Sequence, residues 1–172
     1  MKNKIAVVLL ILATAVVAFV LLKPEDGGPS FVVDMTKGLS PAPNFVLPSL
    51  AGGEIKLSEY LGRKPVILDF WTTWCLNCRR SMPRLNEWYK TYKNELEVIG
   101  VNIEEEPETV RRFIAERGIV FPIALDRHGE VKRLYNINYT NVHALINKQG
   151  QIARIIFGDI TEEYIKALII AK

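Results

Sequence analysis

The two cysteines of this chain stand two residues apart, in the stretch DFWTTWCLNCRRSMP that runs from Asp69 to Pro83. Three kinds of chemistry use a pair so spaced: a structural staple, half of a metal site, or a redox couple. As a staple the pair is weak. A disulfide acts mainly by restricting the unfolded chain, and closing so small a ring restricts it by only ~2 kcal/mol. As a metal site it lacks companions. Structural zinc takes a second cysteine pair or two closely spaced histidines, whereas the two histidines here, His128 and His143, lie far apart. Haem attachment needs a histidine directly after the second cysteine, where this chain has Arg79. No metal and no cofactor is expected.

The redox couple fits the pattern better. Cys75 is expected where a buried strand ends and a helix begins, so free backbone N–H groups and the positive helix end favour its thiolate. Arg79 and Arg80 add positive charge nearby. A free cysteine with a pKa near ~8.5 is a few per cent ionised at neutral pH, and one lowered to ~7 is about half ionised. Cys78, one turn further along the helix, is placed to attack a mixed disulfide formed at Cys75.

The elements that must position the pair are legible on both sides of it. Val66-Ile67-Leu68-Asp69-Phe70-Trp71 is a nearly continuous apolar run of the length expected for a strand covered on both faces. After the cysteines, Met82, Leu85, Tyr89 and Tyr92 fall on one helical face. Leu96 to Asn102 reads as a second buried strand. Pro107 opens the next helix and Gly118 closes it. Earlier, Phe45 to Leu47 and Glu54 to Leu57 read as short strands around Gly52-Gly53, with Ser58 capping a helical turn. Later come a short strand over 121–125, a short helix over 129–135, a hairpin of Val142 to Asn147 with Ile152 to Phe157, and a last helix capped by Thr161. This order predicts an α/β sandwich with a mixed central sheet.

The chain is 49% hydrophobic, more than one ordinary domain requires, and the excess lies at the start. Every residue from Ile5 to Leu22 is apolar except Thr14. As a helix that run would reach about 27 Å, close to the thickness of bilayer hydrocarbon. A cleaved signal peptide is shorter in its apolar part and ends on small residues. Here Leu21-Leu22-Lys23-Pro24 follows instead, and no lipidation cysteine is present. Residues 1–22 are therefore expected to be an uncleaved membrane anchor, 23–43 a linker rich in Pro and Gly, and 44–172 the folded domain. Lys2 and Lys4 before the run, with Glu25 and Asp26 after it, put the domain on the extracytoplasmic side of the cell membrane. Disulfides form in that compartment. Without Lys2 and Lys4, the 22 basic residues fall to 20 against 19 acidic ones, and no basic stripe suggests nucleic acid. The acidic run Glu104-Glu105-Glu106 reads as a solvated loop.

The motif as a whole resembles a known family. Phe70-Trp71-Thr72-Thr73-Trp74-Cys75-Leu76-Asn77-Cys78, with Pro83 beyond, is similar to the active-site segment of thioredoxins. The wider chain resembles the membrane-anchored TlpA/ResA-like branch. Ala42-Pro43-Asn44-Phe45, Ile55-Lys56-Leu57-Ser58, the insert from Val101-Asn102-Ile103 to Phe121-Pro122, and Leu145-Ile146-Asn147 with Gly150 carry that likeness over residues 40–170. The resemblance implies a thioredoxin-like three-layer sandwich and thiol–disulfide exchange with partner proteins. It implies a redox-active disulfide of Cys75 and Cys78, and extracytoplasmic reduction of client disulfides, apocytochrome c among them. Electrons would come from a membrane donor protein. Peroxiredoxins are more distant relatives, and their motif requires a proline where this chain has Leu68, although Thr72 fits it.

The resemblance also assigns individual residues. Asp69 lies where thioredoxins carry a buried acid beneath the active site. Burial should raise its pKa and suit it to take the Cys78 proton. Trp74 is expected on the docking rim. Ser81 stands where some ResA-like proteins place a glutamate, and that acid is not carried over. Thr140 and Asn141 fall at the backbone edge against which a client peptide lies, with Asn141 in place of the usual cis-proline. A cis bond without proline costs ~3–4 kcal/mol, so a trans Thr140–Asn141 bond is expected. His143, at a position usually apolar, lies on a strand that should neighbour that of Asp69, which allows a His143–Asp69 pair. A client-binding or chaperone module and a metal-delivery protein are the two competing functions for the same fold.

Overall fold

The computed structural model describes residues 39–171. The expected anchor over 1–22 and the expected linker as far as residue 38 lie outside the described residues. No helix among the described residues is long and apolar enough to cross a membrane.

A six-stranded mixed sheet forms the middle layer. Its strands in chain order are Ser40–Pro41 (β1), Val66–Trp71 (β4), Glu97–Ile103 (β5), Ile123–Asp126 (β6), Val142–Ile146 (β7) and Gln151–Phe157 (β8). Across the sheet they run β1-β8-β7-β4-β5-β6. β4, β5 and β6 are parallel, whereas β7 is antiparallel to β4, and β8 to β7. A separate antiparallel hairpin, Val46–Pro48 (β2) with Glu54–Lys56 (β3), joins the edge at β6 through Ser49 and Ala124. The helices are Leu76–Tyr92 (α1), Pro107–Arg117 (α2), Glu130–Leu134 (α3) and Glu162–Ile170 (α4).

Strand alternation divides the core. Ile67 and Trp71 of β4 pack with α1, α2 and α4 through Met82, Leu85, Val110, Phe113, Ile165 and Leu168. Val66, Leu68 and Phe70 face the other way, onto α3 and the β2–β3 hairpin. β4 and β5 are buried along their whole length, as expected of strands covered on both faces. The three-layer α/β architecture read from the sequence is thus the one observed.

Two local readings are corrected. Ser40–Pro41, placed in the linker, pairs with β8, and Ala42 is buried in the core, so the folded part begins before Asn44. Pro41 is tolerated because β1 is an edge strand. Ser58 is not a cap: it lies inside a 3-10 turn, Leu57–Glu59, and its own N–H donates to Asn44 Oδ1. Thr161 does hold the N-cap position of α4, without a side-chain cap bond. The expected end of α2 is confirmed in detail. Gly118 adopts φ 59° and its N–H returns to the carbonyls of Ala115 and Ile114, a left-handed exit that glycine adopts freely.

Candidate active site

Cys75 and Cys78 form a disulfide. β4 ends at Trp71, and Cys75 occupies the N-cap of α1, where its Sγ accepts a hydrogen bond of 3.1 Å from the Cys78 N–H. The Cys75 sulfur itself therefore fills the role usually taken by a serine or aspartate oxygen. That geometry and the positive helix end both favour a thiolate once the disulfide opens. Cys78 is the deeper sulfur, at 1% exposed against 6% for Cys75.

The loop between β4 and α1 is clamped by a residue that the sequence reading placed in solvent. Glu105 accepts from the Thr73 N–H at 2.7 Å, the Thr73 hydroxyl at 2.5 Å and Asn102 Nδ2 at 2.7 Å. Its neighbours Glu104 and Glu106 are exposed, as expected, but Glu105 is half-buried. Bonds to a carboxylate are about twice as strong as neutral ones, so Glu105 anchors the approach to Trp74 and Cys75. A signal for it existed. Adjacent parallel strands end on one edge of a sheet, and Trp71 pairs with Asn102, which puts the residues just after each strand within reach.

The trans bond expected at Thr140–Asn141 is observed, as no peptide bond among the described residues is cis. Asn141 sits in the left-handed region, φ 60°, which asparagine tolerates better than most residues. All of its polar groups are engaged. Its N–H donates to Phe70 O and its carbonyl accepts from Gly158 N–H. Its Oδ1 accepts from the Ser81 hydroxyl at 3.0 Å, and its Nδ2 donates to Asp159 Oδ1 at 3.1 Å. Asn141, expected at an edge open to a client peptide, is buried, at 3% exposed. Ser81 is its partner on α1. Arg84 and Arg80 reach the same Asp159, at 3.2 and 3.8 Å.

Thr140, with Trp74, Tyr139, Thr72, Glu104 and Lys132, borders a cleft of about 380 Å³. Trp74 and Leu76, which flank Cys75, and Tyr139 and Phe157, whose rings meet edge to face with centroids 6.5 Å apart, are all more than 60% exposed.

Beneath the helix lies the pair that strand register allows. Asp69 of β4 is directly opposite His143 of β7, with Oδ1 3.3 Å from Nδ1. Both are almost fully buried. Neither Asp69 Oδ2 nor either ring nitrogen has a well-formed hydrogen bond among the described residues. Burial pushes the Asp69 carboxyl up to about 7 and the His143 imidazole down to about 4, against the pull of the Asp159 charge and the Gly158 backbone. The pair thus prefers to be neutral in mildly acidic solution.

The AhpC/TSA family model matches residues 39–155. The chain is 43% identical over 128 residues to the thiol-disulfide oxidoreductase ResA of Geobacillus kaustophilus, covering 74% of this chain and 73% of that one. This chain belongs to the AhpC/TSA family. Its ResA-like character is plain, since ResA of Bacillus subtilis is also 36% identical over 127 residues, covering 73% of this chain and 70% of that one. Among solved structures, StoA of Bacillus subtilis superposes with a TM-score of 0.64 at 27% identity, over 74% of this chain and 96% of that one. A Chlorobium tepidum protein assigned as the thiol:disulfide interchange protein DsbE superposes at 0.71 with 31% identity, over 76% and 96%. The chain is a thioredoxin-fold thiol-disulfide oxidoreductase of the ResA type.

Proposed function

We propose that this ResA-type oxidoreductase reduces disulfides in extracytoplasmic client proteins, with apocytochrome c among them, and is held to the membrane by residues 1–22. The observation that carries the chemistry is the Cys75 sulfur at the N-cap of α1, accepting the Cys78 N–H. In the reduced protein, the Cys75 thiolate attacks one sulfur of a client disulfide. A Cys75–client bond forms, the client S–S bond breaks, and the second client sulfur leaves as a thiolate. Cys78 then gives its proton to the Asp69 carboxylate and attacks Cys75. The protein disulfide forms and the first client sulfur leaves as a thiolate. The client has gained two electrons and the protein has lost two. A dithiol donor protein in the membrane resets the pair by the reverse exchange.

Trp74 and Thr140 support client docking because both border the cleft beside Cys75. Asn141 acts behind them, fixing the edge that Thr140 presents. The apolar run from Ile5 to Leu22, flanked by Lys2 and Lys4 on one side and Glu25 and Asp26 on the other, supports the anchor and its orientation.

Insulin reduction by the full chain tests the reading. Turnover is expected to vanish in Cys75→Ser, while Cys78→Ser traps a mixed disulfide with the client at Cys75. Stoichiometric metal binding, or client holding without turnover, in the wild-type protein would contradict it.

A further inference from the structure

We propose that His143 is the acid–base partner of Asp69, the two side chains forming one buried proton-holding unit that serves Cys78. The inference rests on the reading of Asp69 as the acceptor of the Cys78 proton and adds a positioning residue to it. On the sheet face beneath α1, a row of neighbours runs across five strands: Ile156, His143, Asp69, Gly100 and Ile123. Gly100 brings no side chain, and the space over it is filled by its neighbours. An added Cβ would meet Ile123 Cδ1 at 2.7 Å, Phe121 Cε2 at 2.9 Å and Trp71 Nε1 at 3.0 Å. Asp69 is thus closed off on its β5 side, and His143 is its one polar neighbour in the row.

The surroundings leave few competing charges. α2 contributes Val110 and Phe113 to this face, and α4 contributes Ile165 and Leu168. From β8, Arg154 lies over the Tyr164 ring of α4, 4.9 Å from its centroid. Asp159, after β8, is held by Arg80, Arg84 and Asn141, and its charge acts on His143. α1 supplies Cys75 and Cys78 themselves.

An imidazole suits this place for a specific reason. A neutral ring has one bare nitrogen and one N–H. Facing the protonated Asp69, a bare Nδ1 accepts the acid O–H. Facing the carboxylate, an Nδ1–H donates to it. From 3.3 Å away, His143 can therefore serve Asp69 both before and after it takes the Cys78 proton, once the two close to full hydrogen-bond geometry, whereas an apolar side chain can serve neither state. Without that donor, the buried carboxylate is harder to form and the proton leaves Cys78 less readily.

The test uses the full chain and an aromatic disulfide reagent that releases one chromophoric thiolate when Cys75 attacks and a second when Cys78 resolves. The pH profile of the second release is followed in wild type, His143→Leu, His143→Gln and Asp69→Asn, beside carbon-13 NMR titration of the Asp69 carboxyl in the oxidised proteins. In His143→Leu, both midpoints are expected to move up by about one pH unit, with an approximately tenfold slower second release below the midpoint. The first release should stay unchanged. His143→Gln, which can still donate to the carboxylate, should recover part of the shift. Wild-type midpoints in both His143 variants would overturn the role of His143. An unchanged second release in Asp69→Asn would instead overturn the role of Asp69.

Discussion

Two buried carboxylates on neighbouring strands show how differently one sheet can treat an acid. Glu97 opens β5, and Lys64 stands 2.9 Å from it. The Val98 N–H also reaches Glu97, and the same Lys64 ammonium donates to the Lys93 carbonyl. That end of the sheet is a brace: the charge is paired and its partners are fixed by other contacts. Asp69, in the middle of β4, has no cation beside it among the described residues, and its neighbour is a histidine that is itself pressed towards neutrality. A satisfied buried charge holds a fold together. One left with a single titratable partner, on the face that carries the two cysteines, suits the proton transfer proposed for it.

Removing the cation from Glu97 and the charge from Asp69 should separate these roles. Lys64→Met leaves Glu97 without its cation, and such losses cost about 3–5 kcal/mol when fully buried. Because the Lys64 side chain is 25% exposed, solvent softens the penalty to roughly 2–3 kcal/mol. Denaturant unfolding should show that loss, and the rate per folded molecule should remain at the wild-type value. Asp69→Asn should act in the opposite sense. At pH 8 the wild-type acid is ionised in its buried site, above its pKa of about 7, and the amide removes that burden. Stability should rise by up to roughly 4 kcal/mol at pH 8, about 1.4 kcal/mol for each unit by which the carboxyl is raised, and hardly at all at pH 4, while the Cys78 step slows at least tenfold.

The smallest effect concerns the slope of stability against pH in the oxidised protein. Asp69 is raised to about 7 and holds a proton that the unfolded chain has already lost, so alone it makes stability fall as pH rises from about 4 towards 7. His143 is lowered to about 4 and lacks a proton that the unfolded chain still holds up to about 6.5, so alone it makes stability rise over that range. Together the pair carries one proton, as it does unfolded, and its contribution is flat between about 4 and 6.5. His143→Leu should expose the Asp69 slope, a loss of up to ~1.4 kcal/mol per pH unit. Unfolding curves at a series of pH values would show it, and a flat series for this variant would contradict the raised pKa of Asp69.

The parts of the site legible in the sequence were those governed by short-range rules. The spacing of Cys75 and Cys78 after an apolar strand put them at a helix start, and proline chemistry predicted the trans bond at Asn141. Alternation along β4 and β7 allowed Asp69 and His143 to meet. What escaped depends on contacts between distant segments. Glu105 looks like one member of a solvated acidic run until β4 and β5 are paired and bring Thr73 beside it. Asn141 reads as part of a client edge until Ser81 and Asp159, far away in the chain, take up its side chain. β1 was hidden because Ser40-Pro41 has a linker's composition, and only pairing with β8 makes it a strand.

The pH profile of Cys75 alkylation in the reduced full chain tests most directly whether the N-cap position activates this sulfur. A midpoint near ~7 or below is expected, well under the ~8.5 of an ordinary thiol. A midpoint at the ordinary value, with correspondingly slow alkylation at neutral pH, would contradict it.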